Sequence, residues 1–163
     1  NNQEGMRLDS SGRLLVGTTT ATGDALLQVD GASRQKGVYS TAASRAWDMA
    51  GSTALFDIGF GNQGNFAAEF TWILQDTSAP NYGTRIGKLY IAAYGSSVTG
   101  PAAATVAAED KTSRTSGTIP TITWSVAISG GKVRLTGNPS SDSGAATIYL
   151  WGASPLLSEI TAL

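Results

Sequence analysis

The sequence predicts an all-β protein, and three observations carry the prediction. Apolar and polar residues alternate with a period of two in one stretch after another, as half-buried strands require. No helical period of any length is present. The composition suits many turns: 20 of 163 residues are Gly, and charged residues make up 14%, against about 25% in an average soluble domain. A chain of this length supports one good core, or a short extended element followed by one compact domain.

Taken in order, Met6 to Leu8 is a short strand, Asp9-Ser10-Ser11-Gly12 a turn, and Arg13 to Gly17 a second strand. Asp9 can bond the backbone two residues on, and Gly12 can take the positive φ of a tight reversal. A hairpin this small does not stand alone. Ala21 to Asp24 is a turn, Ala25 to Val29 another strand, and Asp30-Gly31 closes it. The boundary falls after Lys36, giving a first element over 1–36 and a second over 37–163. Gly37 to Ser40 enters the second as a strand, with Trp47 and Met49 on an irregular connection.

The second domain opens with two alternating runs. Ala54, Phe56, Ile58 and Phe60 form one apolar face, and Phe66, Ala68, Phe70, Trp72 and Leu74 another. A five-residue loop over Gly61 to Asn65 would pair Phe60 with Phe66 and Phe56 with Phe70 as a hairpin, keeping apolar faces together. Gln75 to Gly83 is a loop. Thr84 to Tyr94 is apolar on both faces, which predicts cover from a second sheet or a neighbouring subunit. Gly100 to Lys111 is open between helix, loop and strand.

Ile122, Trp124, Val126 and Ile128 alternate cleanly with polar or small residues. Gly130-Gly131 then marks a two-residue hairpin pairing Ile128 with Val133 and Val126 with Leu135. After a polar loop, Asn138 to Gly144, a last strand turns Ala146, Ile148 and Leu150 inward. The whole reads as an antiparallel β-sandwich, jelly-roll-like. Trp72 and Trp124 belong to its core.

Several function classes are excluded by what is missing. The chain has no His and no Cys, so Ser-His-Asp triads, thiol nucleophiles, disulfides and the commonest zinc sites cannot form. No calcium loop, phosphate-cradling glycine motif or serine nucleophile motif is present, and no cofactor or metal is expected. A net charge of −1 leaves no footprint for nucleic acid. The chain opens Asn1-Asn2-Gln3-Glu4, without Met, and no apolar run is long enough for a signal peptide or membrane insertion, so it reads as an excerpt or a processed product.

The hairpin register sets Asp57 opposite Glu69 on the outer face, an unfavourable juxtaposition that needs an offset. Placing Lys88 beside Glu69, with Tyr90 next along, supplies one. The resulting Asp57, Glu69, Lys88, Tyr90 cluster suits carbohydrate recognition: carboxylates accept hydroxyl hydrogen bonds and the ring stacks on a pyranose. The same carboxylate pair reads as a glycosidase acid and base, and the plain alternative is a solvated face. Tyr149 and Trp151, on the face opposite Ile148 and Leu150, mark either a ligand groove or a protein contact. Trp47 and Tyr82 fall on predicted loops.

The run Met6 to Thr19, Met-Arg-Leu-Asp-Ser-Ser-Gly-Arg-Leu-Leu-Val-Gly-Thr-Thr, resembles the strand-turn-strand element in the stalks of bacteriophage tail fibres and tailspikes. The resemblance implies a virion protein, an intertwined homotrimer with a short trimeric β-stalk, and upstream fibre or tailspike domains as partners. It leads to a reading as the non-catalytic distal part of such a fibre, binding bacterial surface polysaccharide during host attachment. The alternatives are a trimerisation and folding module with no ligand, and a polysaccharide hydrolase using Asp57 and Glu69.

Overall fold

The structure, a computed structural model, describes residues 5–18, 20, 27–29, 33–35, 38–60, 65–77, 83–96, 100–115, 119–141, 144–154 and 157–163. The predicted turns at Ala21–Asp24 and Asp30-Gly31, most of the Gly61–Asn65 loop and Tyr82 lie outside the described residues. The chain divides into two compact units, residues 1–33 and 34–163. No helix occurs among the described residues, so none is long and apolar enough to cross a membrane.

In the first unit, β1 (Met6–Leu8) and β2 (Leu14–Val16) form the expected antiparallel hairpin, and β3 (Leu27–Val29) lies parallel to β2. The turn is built as its residues require. Asp9 Oδ1 accepts the backbone N–H of Ser11 and of Arg13, each at 2.9 Å, and Asp9 Oδ2 accepts from Arg13 Nε at 2.7 Å. Gly12 takes φ +77°, a region that costs other residues steric strain. Register puts Met6, Val16 and Val29 in one cross-strand row. Met6 and Leu8 are 66% and 71% exposed.

The second unit is a sandwich of two sheets. Among the described residues its strands are β4 (Ser33–Gln35), which begins at the boundary between the units, β5 (Val38–Trp47), β6 (Thr53–Phe60), β7 (Phe66–Asp76), β8 (Gly83–Ser96), β9 (Gly100–Thr115), β10 (Ile122–Ser129), β11 (Lys132–Pro139), β12 (Ala146–Ser154) and β13 (Leu157–Ala162). One sheet runs β4-β5-β12-β7-β8-β9, the other β10-β11-β6-β13. Their inner faces share one core, with Phe56, Ile58, Leu135 and Val133 from the smaller sheet and Phe70, Trp72, Leu89 and Ile148 from the larger, all buried. Trp72 and Trp124 meet across it at 5.4 Å between ring centroids.

The β10–β11 hairpin has the predicted register, Val126 opposite Leu135 and Ile128 opposite Val133. Gly130 and Gly131 both take positive φ, +57° and +75°, as a type I′ turn demands. Ala146, Ile148 and Leu150 of β12 are buried as expected. The open stretch Gly100–Lys111 is strand, within β9 at the edge of the larger sheet, where Pro101 leaves no central ladder donor missing.

The hairpin expected between the two aromatic runs does not form. β6 pairs with β11 and β13, while β7 pairs with β12 and β8. The chain crosses from one sheet to the other between Phe60 and Phe66, whose rings stack at that corner. Alternation told correctly which face is buried along β7 and from Phe56 to Phe60; at the start of β6 a register shift against β11 breaks it, and Leu55, expected on the outer face, is fully buried. Two apolar faces can be brought together side by side or face to face, and face to face gives a two-sided core. Trp47, expected on a connection, is the last residue of β5 and is buried. β8 is covered on one face by the opposite sheet, but its outer Tyr90, Ala92 and Tyr94 are exposed.

Candidate functional site on the outer face of the larger sheet

The sheet crossing separates the predicted cluster. Asp57 lies on the smaller sheet, opposite Arg134 rather than Glu69. Arg134 donates through Nε to Asp57 Oδ1 at 2.9 Å and through Nη2 to Oδ2 at 2.8 Å. This two-pronged pairing holds the Asp57 carboxyl below the usual range, with the Arg134 hydrogen bonds the largest cause and desolvation opposing them. Lys132 and Glu159 form an ion pair at 2.7 Å on the same sheet. Charges paired side to side on an outer sheet face make a solvated surface.

Glu69, Lys88 and Tyr90 do come together, on the larger sheet. Glu69 stands directly opposite Tyr90, and Lys88 is opposite Thr71 and Glu109. The expected order along β8 is therefore shifted by one pair, yet Lys88 Nζ still reaches Glu69 Oε1 as an ion pair. Beside them is a shallow hollow of about 310 Å³ lined by Ala67, Glu69, Tyr90 and Ala92, among others.

Tyr149 and Trp151 project from the outer face of β12, 40% and 50% exposed. Residues two apart on a strand point the same way, about 7 Å from each other. Their row neighbours are mostly small: Ala42 and Thr71 flank Trp151, Ser44 and Ile73 flank Tyr149. The rings thus rise above a floor of short side chains, which opens a groove of about 410 Å³ lined by Ala42, Ala43, Ser44, Thr71, Ile73, Tyr149, Leu150 and Trp151. Among the described residues no charged side chain lines it.

The aromatic pair was readable from alternation. The small neighbours that make it a groove were not, because Ala42, Ser44 and Thr71 become adjacent only when β12 is inserted between β5 and β7. A third hollow, about 480 Å³, lies by Arg45, Trp47, Asp48 and Thr53. There Arg45 Nη1 is taken up by the carbonyl of Ala54. Among the described residues no group of three Asp or Glu side chains is placed to hold a metal ion.

The fold and this face define an all-β sandwich whose smaller sheet is ionic on its outside and whose larger sheet carries an aromatic groove beside the Glu69–Lys88 ion pair. No family profile and no curated protein matches the chain. Among solved structures it is similar to the tailspike protein of Acinetobacter baumannii phage AM24, with a TM-score of 0.48 and 14% identity over 78% of this chain and 28% of that one. It is also similar to the tailspike of A. baumannii bacteriophage Fri1, a capsular polysaccharide depolymerase, with a TM-score of 0.45 and 12% identity over 81% of this chain and 21% of that one. The tailspike of Acinetobacter phage vB_ApiP_P1 gives a TM-score of 0.44 and 12% identity over 91% and 26%. The chain thus spans roughly a quarter of each of these tailspikes. They are of the class that the Met6–Thr19 element resembles.

Proposed function

We propose that the chain is part of a bacteriophage tail fibre or tailspike, and that its sandwich binds a bacterial surface polysaccharide without cleaving it. In this reading residues 1–36 are a trimerising β-stalk, residues 37–163 the receptor-binding domain, and the place of action is the tail of the virion, outside the host cell. The observation that carries the binding reading is the groove around Tyr149 and Trp151. It is concave, aromatic and lined by neutral hydroxyls and methyls, the surface that suits the apolar face and hydroxyl rim of a sugar ring.

Non-catalytic binding is supported by the carboxylates. Asp57 and Glu69 sit on different sheets, each tied to its own cation, and so they do not form the facing pair that glycoside hydrolysis uses. Three such grooves on one trimer would bind by avidity, each contact weak alone. A pull-down on purified host capsular or lipopolysaccharide, with reducing ends assayed in parallel, tests the reading. Retention without reducing-end release is expected. Release by the wild type that disappears in Glu69→Gln would replace it with hydrolysis. A second reading, a trimerisation module with no ligand, draws on the exposed Met6 and Leu8 of the first unit, and would be favoured by a trimer that retains no polysaccharide.

A further inference from the structure

We infer that the hollow where β5 ends and β12 begins is a binding site for the carboxylate of an acidic sugar residue, held by the Arg45 guanidinium and the Trp47 indole N–H. It is a second site, apart from the groove at Tyr149 and Trp151, and it rests on the carbohydrate reading above only for the source of the carboxylate.

Alternation and one small neighbour build the hollow. Arg45 and Trp47 lie two apart on β5, so both side chains point between the sheets, and Trp47 is only 3% exposed. Its row partner on β12 is Ala146, whose single methyl leaves the space beside the indole unfilled. The result is a hollow of about 480 Å³ lined by Arg45, Trp47, Asp48, Thr53 and Ala146, among others, which falls within the roughly 300–1,000 Å³ of small-molecule sites. Its corner is preformed. Met49, next to Asp48, takes φ +50° with its side chain fully buried in the core, a conformation uncommon for a residue other than glycine and kept only where the surroundings impose it.

The interior of the hollow offers donors. The buried Trp47 indole N–H has no hydrogen-bond partner, a costly state for a polar group. Trp72 and Trp124 share it but line none of the hollows described above. Arg45 donates through Nη1 to the Ala54 carbonyl, and among the described residues no carboxylate forms an ion pair with it; the rest of its planar fork of N–H groups is left for a ligand. A fork beside one indole donor matches a carboxylate, with one negative charge and two acceptor oxygens. A phosphate monoester carries nearly twice that charge and would stay under-compensated.

The rim offers acceptors. Asp48 is exposed, its Oδ1 accepting the Ala50 N–H at 3.2 Å, and Thr53 Oγ1 donates to the Gly51 carbonyl at 3.1 Å, which leaves lone pairs on both side chains for hydroxyl donors. Asp48 also repels a bare anion. Donors within and acceptors at the rim therefore fit a carboxylate flanked by hydroxyls, as in a hexuronate.

The test is proton–nitrogen correlation NMR of the indole N–H groups of the full chain, the peaks assigned by replacing each Trp in turn with Phe. The probes are methyl β-glucuronoside, its methyl ester, acetate and a glucose phosphate. The glucuronoside should move the Trp47 peak saturably, and the other three should bind about tenfold or more weakly, as loss of a charge-assisted hydrogen bond gives. Arg45→Gln should weaken the glucuronoside by about tenfold or more, and Arg45→Lys, which keeps the charge without the fork, by less. The Trp72 and Trp124 peaks should hold their places in both variants, and the comparison with the ester needs no variant at all. A Trp47 peak that no sugar acid moves, or that moves with equal affinity in Arg45→Gln, overturns the site. Equal affinity for the ester overturns the charge class, equal affinity for acetate overturns the sugar, and tighter binding of the phosphate overturns the carboxylate. A Trp151 peak that responds to capsular oligosaccharides while Trp47 answers to no sugar acid overturns the inference and leaves the proposed function standing. If neither peak responds to any of them, both are overturned.

Discussion

Gly152→Ala offers the sharpest test of the sheet order on which the binding face depends. Gly152 sits mid-strand in β12, between Thr41 of β5 and Phe70 of β7. Propensity alone says that Ala should be better there, by roughly 0.5–1 kcal/mol. The packing says the reverse. An added Cβ would fall against the Phe70 ring, 3.2 Å from Cγ and closer still to Cδ1 and Cε1. Phe70 is fully buried in the shared core, so the ring has no open space to move into. Overpacking of this kind costs about 1–3 kcal/mol, and after the propensity gain a net loss of about 1–2 kcal/mol remains. Urea unfolding should show it as a lower midpoint with an unchanged slope, and heating as a drop of roughly 2–8 °C for a chain of this size. Gly51→Ala is the control, because an added Cβ there meets nothing within 4 Å, and it should be neutral or slightly stabilising. In a Phe70→Leu background Gly152→Ala should cost much less, a coupling that only direct contact produces. A Gly152→Ala variant more stable than wild type would refute the packing of β12 against β7.

Three further outcomes follow from the same geometry. Asp57→Asn should destabilise by about 1 kcal/mol, the upper end for a surface ion pair, in keeping with its two-pronged geometry and the half-buried Asp57 side chain. Because the folded-state pKa of Asp57 is depressed below 3.8, that contribution is present above the unfolded pKa and is lost as the pH falls through and below it; acid titrations of wild type and Asp57→Asn should therefore converge at low pH and diverge above about pH 4. Gly131→Val, which forces a β-branched residue to positive φ in the β10–β11 turn, should cost about 1–2 kcal/mol by thermal unfolding. Met49→Ala should cost about 2–5 kcal/mol, since Met49 is fully buried in the core, and a change under 1 kcal/mol would mean the site collapses readily.

Much of this architecture was legible because strands announce their buried face. Ile122, Trp124, Val126 and Ile128 specified both a strand and, with Gly130-Gly131, its partner, since a two-residue turn fixes register locally. Asp9 and Gly12 specified the first hairpin in the same way. Partners separated by a crossing were not legible. Phe56 and Phe70 alternate as cleanly as the β10 residues, but between them the chain changes sheets, and nothing in a period of two distinguishes a lateral neighbour from one across the core. The consequence reaches the site: a hairpin would set Asp57 face to face with Glu69, whereas β11, far along the chain, brings Arg134 to Asp57 instead. Glu69, Lys88 and Tyr90 survived because β7 and β8 do pair as neighbours.

The chain carries its own reporter for the central claim. Of its four Trp, Trp47, Trp72 and Trp124 are buried, and Trp151 is half exposed on the proposed binding face. Acrylamide quenching therefore reads Trp151 almost alone. Titrated with host capsular polysaccharide, the quenchable fraction of the fluorescence should fall and its emission shift to the blue, with neither change in Trp151→Phe. Quenching that stays constant while the polysaccharide is retained in a pull-down would place binding elsewhere on the molecule and contradict the account.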